Sequence, residues 1–390
     1  MNRCAWGPVL ILVCCTFISY WNLLLLSPLQ PFIAYDLGIT IGQAAQLTTV
    51  SAAASIVSLI AFGLWGAKVS RRKILLFGMI TLTLGSFLFA LTDNYKIMLL
   101  IRVMNGLSDG IVYPVALVLI SEYLSKEKRQ LGVNAILAGT GLAAVVGIPL
   151  TVELLDAQNW QESFLVFSTI STIGVLGSLI LPRPRYSETE WGQGGLQAFC
   201  TNTRLRTIAG ANIMGDIAWF GALTFLGSFL VHSYNISLHR LSFFYFIAGV
   251  AFILGSFLAT SSSFKIQRRW AICSSVGSAA MVPIFFSFTE GYWVTLSIAF
   301  VYGFIRAPGI GTMDNMLLDA AENTTTRVVS GALSSIIVGV AILIAASIGG
   351  MVLDSTAYNV IGVIFGISAF MSVLMLWNLK PETAKVSDKH

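Results

Sequence analysis

Twelve stretches of this 390-residue chain are each long and apolar enough to cross a lipid bilayer as a helix. About 20 apolar residues span the hydrocarbon, and the stretches run roughly over 8–34, 42–67, 74–92, 97–120, 131–154, 163–182, 206–231, 241–263, 269–288, 292–313, 328–353 and 357–379. In hydrocarbon every backbone N–H and C=O needs an internal partner, so only helices and closed barrels remain. These runs are continuously apolar, not alternating, which excludes barrel strands. Hydrophobic residues make up 56% of the chain and charged residues only 11%, against about 25% in soluble domains.

The basic residues give the chain a direction. Of 23 Lys and Arg, 19 fall at the amino end, in alternate loops or in the carboxyl tail. They are Arg3, then Lys68/Arg71/Arg72/Lys73, Lys126/Lys128/Arg129, Arg183/Arg185/Arg204/Arg206, Lys265/Arg268/Arg269 and Arg327, and finally Lys380, Lys385 and Lys389. The intervening loops hold Lys96 and Arg240, while Arg102 and Arg306 lie inside apolar runs. Basic residues near span ends stay cytoplasmic, so both termini are expected there. The net charge of +5 is spread over short loops facing one leaflet, which fits an anionic membrane surface and not nucleic acid. Cys4, Cys14, Cys15, Cys200 and Cys273 show neither a disulfide framework nor metal-site spacing. The first run, charge-free from Cys4 to Tyr35, is too long for a signal-peptide core and reads as a retained span. A monomeric, multi-pass protein of the cell (inner) membrane is expected.

The two halves repeat at an offset near 197 residues. Arg71-Arg72 recurs as Arg268-Arg269, and Arg129 as Arg327. The expected architecture is all-α, with two pseudo-symmetric six-helix bundles at 1–182 and 206–390 joined by a polar cytoplasmic linker at 183–205. Such repeats form their substrate site near the midplane, between the bundles.

Several segments carry a family resemblance over essentially the whole chain. Gly63-Leu-Trp-Gly-Ala-Lys68-Val-Ser-Arg71-Arg72-Lys73 resembles the loop 2–3 signature of the major facilitator superfamily, and Arg102-Val-Met-Asn105-Gly106 its span 4 signature. Gly139, Ala143, Gly147 and Pro149 loosely resemble the span 5 motif of its drug:proton antiporter-like branch. Gly147-Ile-Pro149-Leu is similar to the form in arabinose and chloramphenicol exporters. Trp160-Gln-Glu-Ser-Phe164 is similar to the W-R-x-x-F that follows, with Gln161 in place of Arg. The resemblance implies proton-coupled export, with Arg102 influencing the proton-binding carboxyl. It also implies a charge latch at loop 2–3, weakened or rebuilt here because Ala67 replaces its Asp and Ser70 its Gly. Span 5 lacks the adjacent Gly-Pro of the antiporter motif.

Charges inside spans single out the functional candidates, because an ionised group at mid-membrane costs roughly 2.5–3.5 kcal/mol. Arg102 and Asp109 lie on one helix face, separated by about 10 Å along the axis, with Asn105 and Tyr113 extending the stripe. One repeat offset on from Asp109 lies Arg306. The two are expected to oppose each other across a central cavity, Asp109 exchanging protons or cations and Arg306 holding polar or anionic substrate groups. A static pair tying the halves together is the structural alternative. Asp216 shares a face with Asn212, Trp219 and Leu223 and has no basic neighbour in sequence. A carboxyl so placed is suited to taking up and releasing protons, which makes it the first coupling candidate; the alternative is a protonated interhelical hydrogen bond. Asp314, near the cytoplasmic end of span 10, is expected in a helix-end or gate salt bridge, and Arg71/Arg72 mainly set topology, with gating secondary. Tyr20, Trp21 and Asn22 are expected to line the cavity with Trp219. Gly139, Ala143 and Gly147 allow close helix approach.

Other chemistries fail on context. Gly106-Leu-Ser108-Asp109-Gly110 satisfies the hydrolase elbow pattern, but it lies within a membrane run, and His232, His239 and His390 sit at span ends or the terminus. Gly139-Thr-Gly141-Leu-Ala-Ala144 follows no strand, so it is no dinucleotide fingerprint. No Walker loop or H-E-x-x-H occurs, which argues against ATP-driven pumping and metalloprotease activity. The sequence therefore reads as a secondary transporter, not an enzyme, with no cofactor or metal; its partners are a small-molecule substrate, protons and the lipid bilayer. The expected activity is proton-coupled efflux of a drug-like compound or small metabolite by alternating access. Siderophore or metabolite export, uptake, and a lipid-handling or sensor role on the same fold stay open.

Overall fold

The computed structural model describes residues 6–65, 69–124, 126–153, 159–182, 202–258, 264–287, 291–320 and 324–379. Among them are twelve helices long and apolar enough to span a membrane. The first six are α1 (Trp6–Asp36), α2 (Ile41–Trp65), α3 (Arg71–Ala90), α4 (Tyr95–Tyr123), α5 and α6 (Trp160–Ile180). The α5 span runs as an α-helix over Lys126–Leu142, makes one π-helical turn at Ala143–Gly147 and resumes over Ile148–Glu153. The second six are α7 (Thr203–Tyr234), α8 (Leu238–Ser256), α9 (Phe264–Ser287), α10 (Tyr292–Asp319), α11 (Thr324–Leu353) and α12 (Tyr358–Trp377). Residues 183–201 of the expected linker lie outside the described residues, and the end of that linker is helical, since α7 begins at Thr203.

These runs are helical because their apolar side chains solvate in lipid while the backbone bonds to itself. Pro28 and Pro31 in α1, Pro114 in α4, Pro283 in α9 and Pro308 in α10 each remove one helical N–H donor, which membrane helices tolerate because neighbouring groups and local adjustments satisfy the freed carbonyl. The ends are fixed by side chains. Asn94 accepts from Lys96 N and Ile97 N, and Asn202 from Leu205 N. Asn235 closes α7 in the left-handed region at φ 45°. At α2, Thr40 and Gln43 form a reciprocal capping box with two 3.0 Å bonds.

Each half has its own apolar core, one built from α1–α6 and the other mainly from α7–α12. The predicted small-residue face on α5 packs as expected: Gly139 lies against Val13 and Thr16, and Gly147 against the Trp21 ring. Large apolar residues such as Leu100, Ile180, Phe257 and Trp377 are exposed, as lipid contact requires.

The bundles are joined mainly by α2 with α11, α1 with α7, and α5 with α8, and more lightly by α4 with α11. Trp6 and Trp377 fall on one face of the molecule, here the terminal face. The hydrogen bonds between the bundles lie in the half nearer the opposite, distal face, while apolar contacts reach mid-span, with Gly339 of α11 against Ile56 of α2. Gly42 N–H donates to Asp354 Oδ1 (3.0 Å), Ser347 Oγ to Thr49 Oγ1 (3.4 Å) and Ser242 Oγ to the Pro149 carbonyl (3.4 Å). Ser27 donates to the Leu223 carbonyl and its hydroxyl lies 2.7 Å from that of Tyr245. His239 and Glu153 meet at 3.3 Å on the distal rim. Ala45, Ile148 and Val152 of the first half are built into the core of the second.

Candidate functional site

In the first half the centre is Asp109 on α4. Asn22 on α1 donates its amide N–H groups to both carboxylate oxygens at 3.1 Å, and Ser51 on α2 donates at 3.5 Å. Asn105, one turn before Asp109, donates to Asn22 Oδ1 and Ser86 Oγ at 3.1 Å each, which fixes the orientation of the Asn22 amide. Arg102 is buried, donates from Nε to the Leu47 carbonyl at 3.3 Å and leaves one terminal nitrogen without a partner. It lies within electrostatic reach of Asp109. Gly106 and Gly110 bring α4 against the α2 backbone at Ser51 and Ser55, so the apparent hydrolase elbow is a helix-packing face.

In the second half the centre is Arg306 on α10, which is fully buried. It donates from Nη2 to Asp216 Oδ1 at 2.5 Å and from Nη1 to Ser274 Oγ at 3.3 Å. Asp216, expected to lack a basic partner, is therefore ion-paired. The sequence conceals the pair because 90 positions separate two residues that α7–α10 packing brings together. The static Asp109–Arg306 pair, the structural alternative, is not formed: among the described residues no ion pair joins them, and each is held within its own bundle. The repeat explains this. Ser19, against Asp109, and Asp109 itself correspond at the 197 offset to Asp216 and Arg306. The two halves thus build the same α1–α4 and α7–α10 contact with different chemistry.

Asp314 is corrected as well. It makes no ion pair among the described residues but accepts from Ser334 on α11 and, at 3.4 Å, from Asn212 on α7. It lies within electrostatic reach of Tyr20 and Tyr113, two partly buried rings of the first bundle in edge contact at 5.8 Å. Tyr20 also senses Asp216. The candidate site in the middle of the spans thus brings Tyr20 and Tyr113 of one bundle near Asp314 of the other, with Tyr20 also near Asp216, the partner of Arg306. Trp219 borders it, stacked on Phe252 at 5.2 Å and tilted against Tyr302 at 5.4 Å. Trp21 does not line it; it donates to Thr151 Oγ1 at 2.7 Å and packs edge-on to Phe167 inside the first bundle. Asn22 and Asn212 are buried and serve the carboxylates Asp109 and Asp314.

At the terminal face Arg71 pairs with Glu122 at 2.5 Å. Burial pushes the Glu122 carboxyl up, an effect the Arg71 guanidinium partly offsets. Arg72 reaches the Leu179 carbonyl that ends α6, as Arg268 reaches the Leu376 and Trp377 carbonyls that end α12. Gln267 donates to Asp319 where Arg71 meets Glu122. The structural equivalents of Arg71-Arg72 are therefore Gln267-Arg268, one residue from the sequence match. Ala67 lies outside the described residues. Trp160 and Gln161 tie α6 to Asp36 and Asp93 at the distal face, a structural task. Sequence reasoning missed Ser51, Ser274, Ser334 and Asp354; hydroxyls in apolar helices are common, and no spacing marked these.

The Major Facilitator Superfamily profile matches residues 12–336, and the chain belongs to that family. The MFS-type transporter YfhI of Bacillus subtilis is 25% identical over 358 residues, covering 89% of this chain and 87% of the relative. The putative transporter AraJ of Escherichia coli is 23% identical over 355 residues, with 88% of each covered. A probable sugar efflux transporter of Helicobacter pylori is 24% identical over 315 residues, with 80% of each covered. Among solved structures, a bacterial homolog of the human lysosomal transporter Spinster, inward-facing and unoccupied, aligns with a TM-score of 0.67 at 15% identity, covering 98% of this chain and 100% of that one. That likeness concerns the fold alone. The protein is a transporter, not an enzyme.

Proposed function

We propose that this protein is a proton-coupled secondary transporter of the cell (inner) membrane that exports a small polar metabolite or drug-like compound by alternating access. The observation that carries the reading is the Asp216–Arg306 pair, buried near the middle of two apolar helices and repeat-related to Ser19 and Asp109. A buried pair of this kind contributes little net stability, and intramembrane charges otherwise mark ion and substrate pathways. In the proposal Asp216 takes the proton and releases Arg306 to hold polar or anionic groups of the substrate. Asp109 serves as a second proton or cation site with Arg102 beside it, Tyr20, Tyr113 and Trp219 flank the substrate with Asp314 near the two tyrosines, and Arg71 and Arg72 act at the terminal-face gate.

The basic loops favour a cytoplasmic terminal face, which would put the inter-bundle hydrogen bonds of the distal half on the outer side and fits an inward-facing state. Export is favoured over uptake by likeness to the probable sugar efflux transporters among the relatives. An inward proton gains about 2.3 kcal/mol per 100 mV, enough to drive uphill export. Asp216→Asn in proteoliposomes is expected to keep counterflow while losing acceleration by an imposed pH gradient; unchanged proton dependence would remove the coupling role.

A further inference from the structure

A narrow cavity lies on the seam between the bundles, distal to Asp216, between α1, α2, α7 and α11. Its polar lining comes from Ser27, Gln30, Thr48 and Thr224, and none of its lining residues is ionisable. Ser27 is already engaged with the Leu223 carbonyl and Tyr245. Gln30 is not: its side chain is fully buried, and neither the amide nitrogen nor the amide oxygen has a partner. An amide buried in this way needs a partner, supplied by a water in the cavity or, once the water is displaced, by a ligand. A primary amide offers a donor and an acceptor side by side, the pair that a hydroxyl matches in one contact. The cavity has room for about one water, so a solute fits only after the bundles part at the distal seam.

We infer that Gln30 is a substrate hydrogen-bonding group on the distal half of the path, and that the solute it receives is neutral and hydroxyl-rich. The inference rests on the transporter reading and adds to it the chemistry of the cargo. Thr48 and Thr224 face the same space from opposite bundles, so a solute there is gripped by both. A neutral site distal to a charged centre also lets the solute leave without breaking an ion pair.

The test uses the full-length protein in nanodiscs, with lactose as a neutral polyhydroxyl probe, and the same protein in proteoliposomes for lactose counterflow. Lactose is expected to raise the unfolding temperature of the unmodified protein. Gln30→Leu should weaken its apparent affinity about tenfold, while its own unfolding temperature without lactose is unchanged or higher, because an unmatched amide has gone. Gln30→Asn, which keeps an amide, should retain part of the shift. No lactose shift in the unmodified protein overturns the inference, as does an undiminished shift in Gln30→Leu. A lowered unfolding temperature of Gln30→Leu with an intact lactose shift assigns the amide to internal packing. A shift without counterflow removes the transport reading and leaves the site, whereas counterflow undiminished in Gln30→Leu removes the site and leaves transport.

Discussion

Arg306 and Asp216 show what a single residue can decide in a low-dielectric interior. Removing one partner strands a charge where water cannot reach it, which costs about 3–5 kcal/mol, whereas removing both can be neutral. Arg306→Met alone should lower stability by about that amount, and Asp216→Leu with Arg306→Met should recover most of it, as read by unfolding in detergent. Asp109 differs, being held by the neutral donors Asn22 and Ser51 with Arg102 at a distance. These charges were visible in the sequence because a mid-membrane ion is expensive and therefore rare. Their partners were not, since Asp216 and Arg306 lie on helices that only tertiary packing brings together. Gln30 drew no notice for the opposite reason: a neutral amide in an apolar run raises no alarm until both its atoms prove unmatched.

At the scale of the helix, small residues decide how closely α4 can approach α2. A Cβ on Gly106 or Gly110 would meet the α2 backbone, whereas Gly311 on α10 has nothing within 4 Å. Gly106→Ala and Gly110→Ala should each cost about 1–3 kcal/mol, while Gly311→Ala should gain up to about 1 kcal/mol. The start of α2 carries a second device. Its capping box uses Thr40 and Gln43, and the Gly42 N–H left between them is taken by Asp354 of the other bundle. A carboxylate on a helix N-terminus contributes about 0.3–1 kcal/mol. Asp354→Ala should therefore raise the reaction rate of a Thr49→Cys thiol with an impermeant maleimide added at the distal face by roughly two- to fivefold. The helices themselves were legible to within a few residues, because apolar length leaves little choice. Their ends were less so: the expected eighth span ran to 263, yet α8 stops at Ser256.

Across the whole molecule, the twofold repeat was read correctly from loop charges and from the 197 offset. The register of the third and ninth spans was not, because Arg71-Arg72 and Arg268-Arg269 look alike while their contacts place them one residue apart. The repeat also distributes charge unevenly between the bundles. The middle of the spans holds two guanidinium groups, Arg102 and Arg306, and three carboxyls, Asp109, Asp216 and Asp314. Fully dissociated, that set is one negative unit in excess, and a medium poor in water tolerates no such imbalance cheaply. A single bound hydrogen ion restores neutrality, and so does a monovalent cation. Turnover should accordingly exchange one such ion per solute, a ratio that reversal-potential measurements in sealed vesicles read directly.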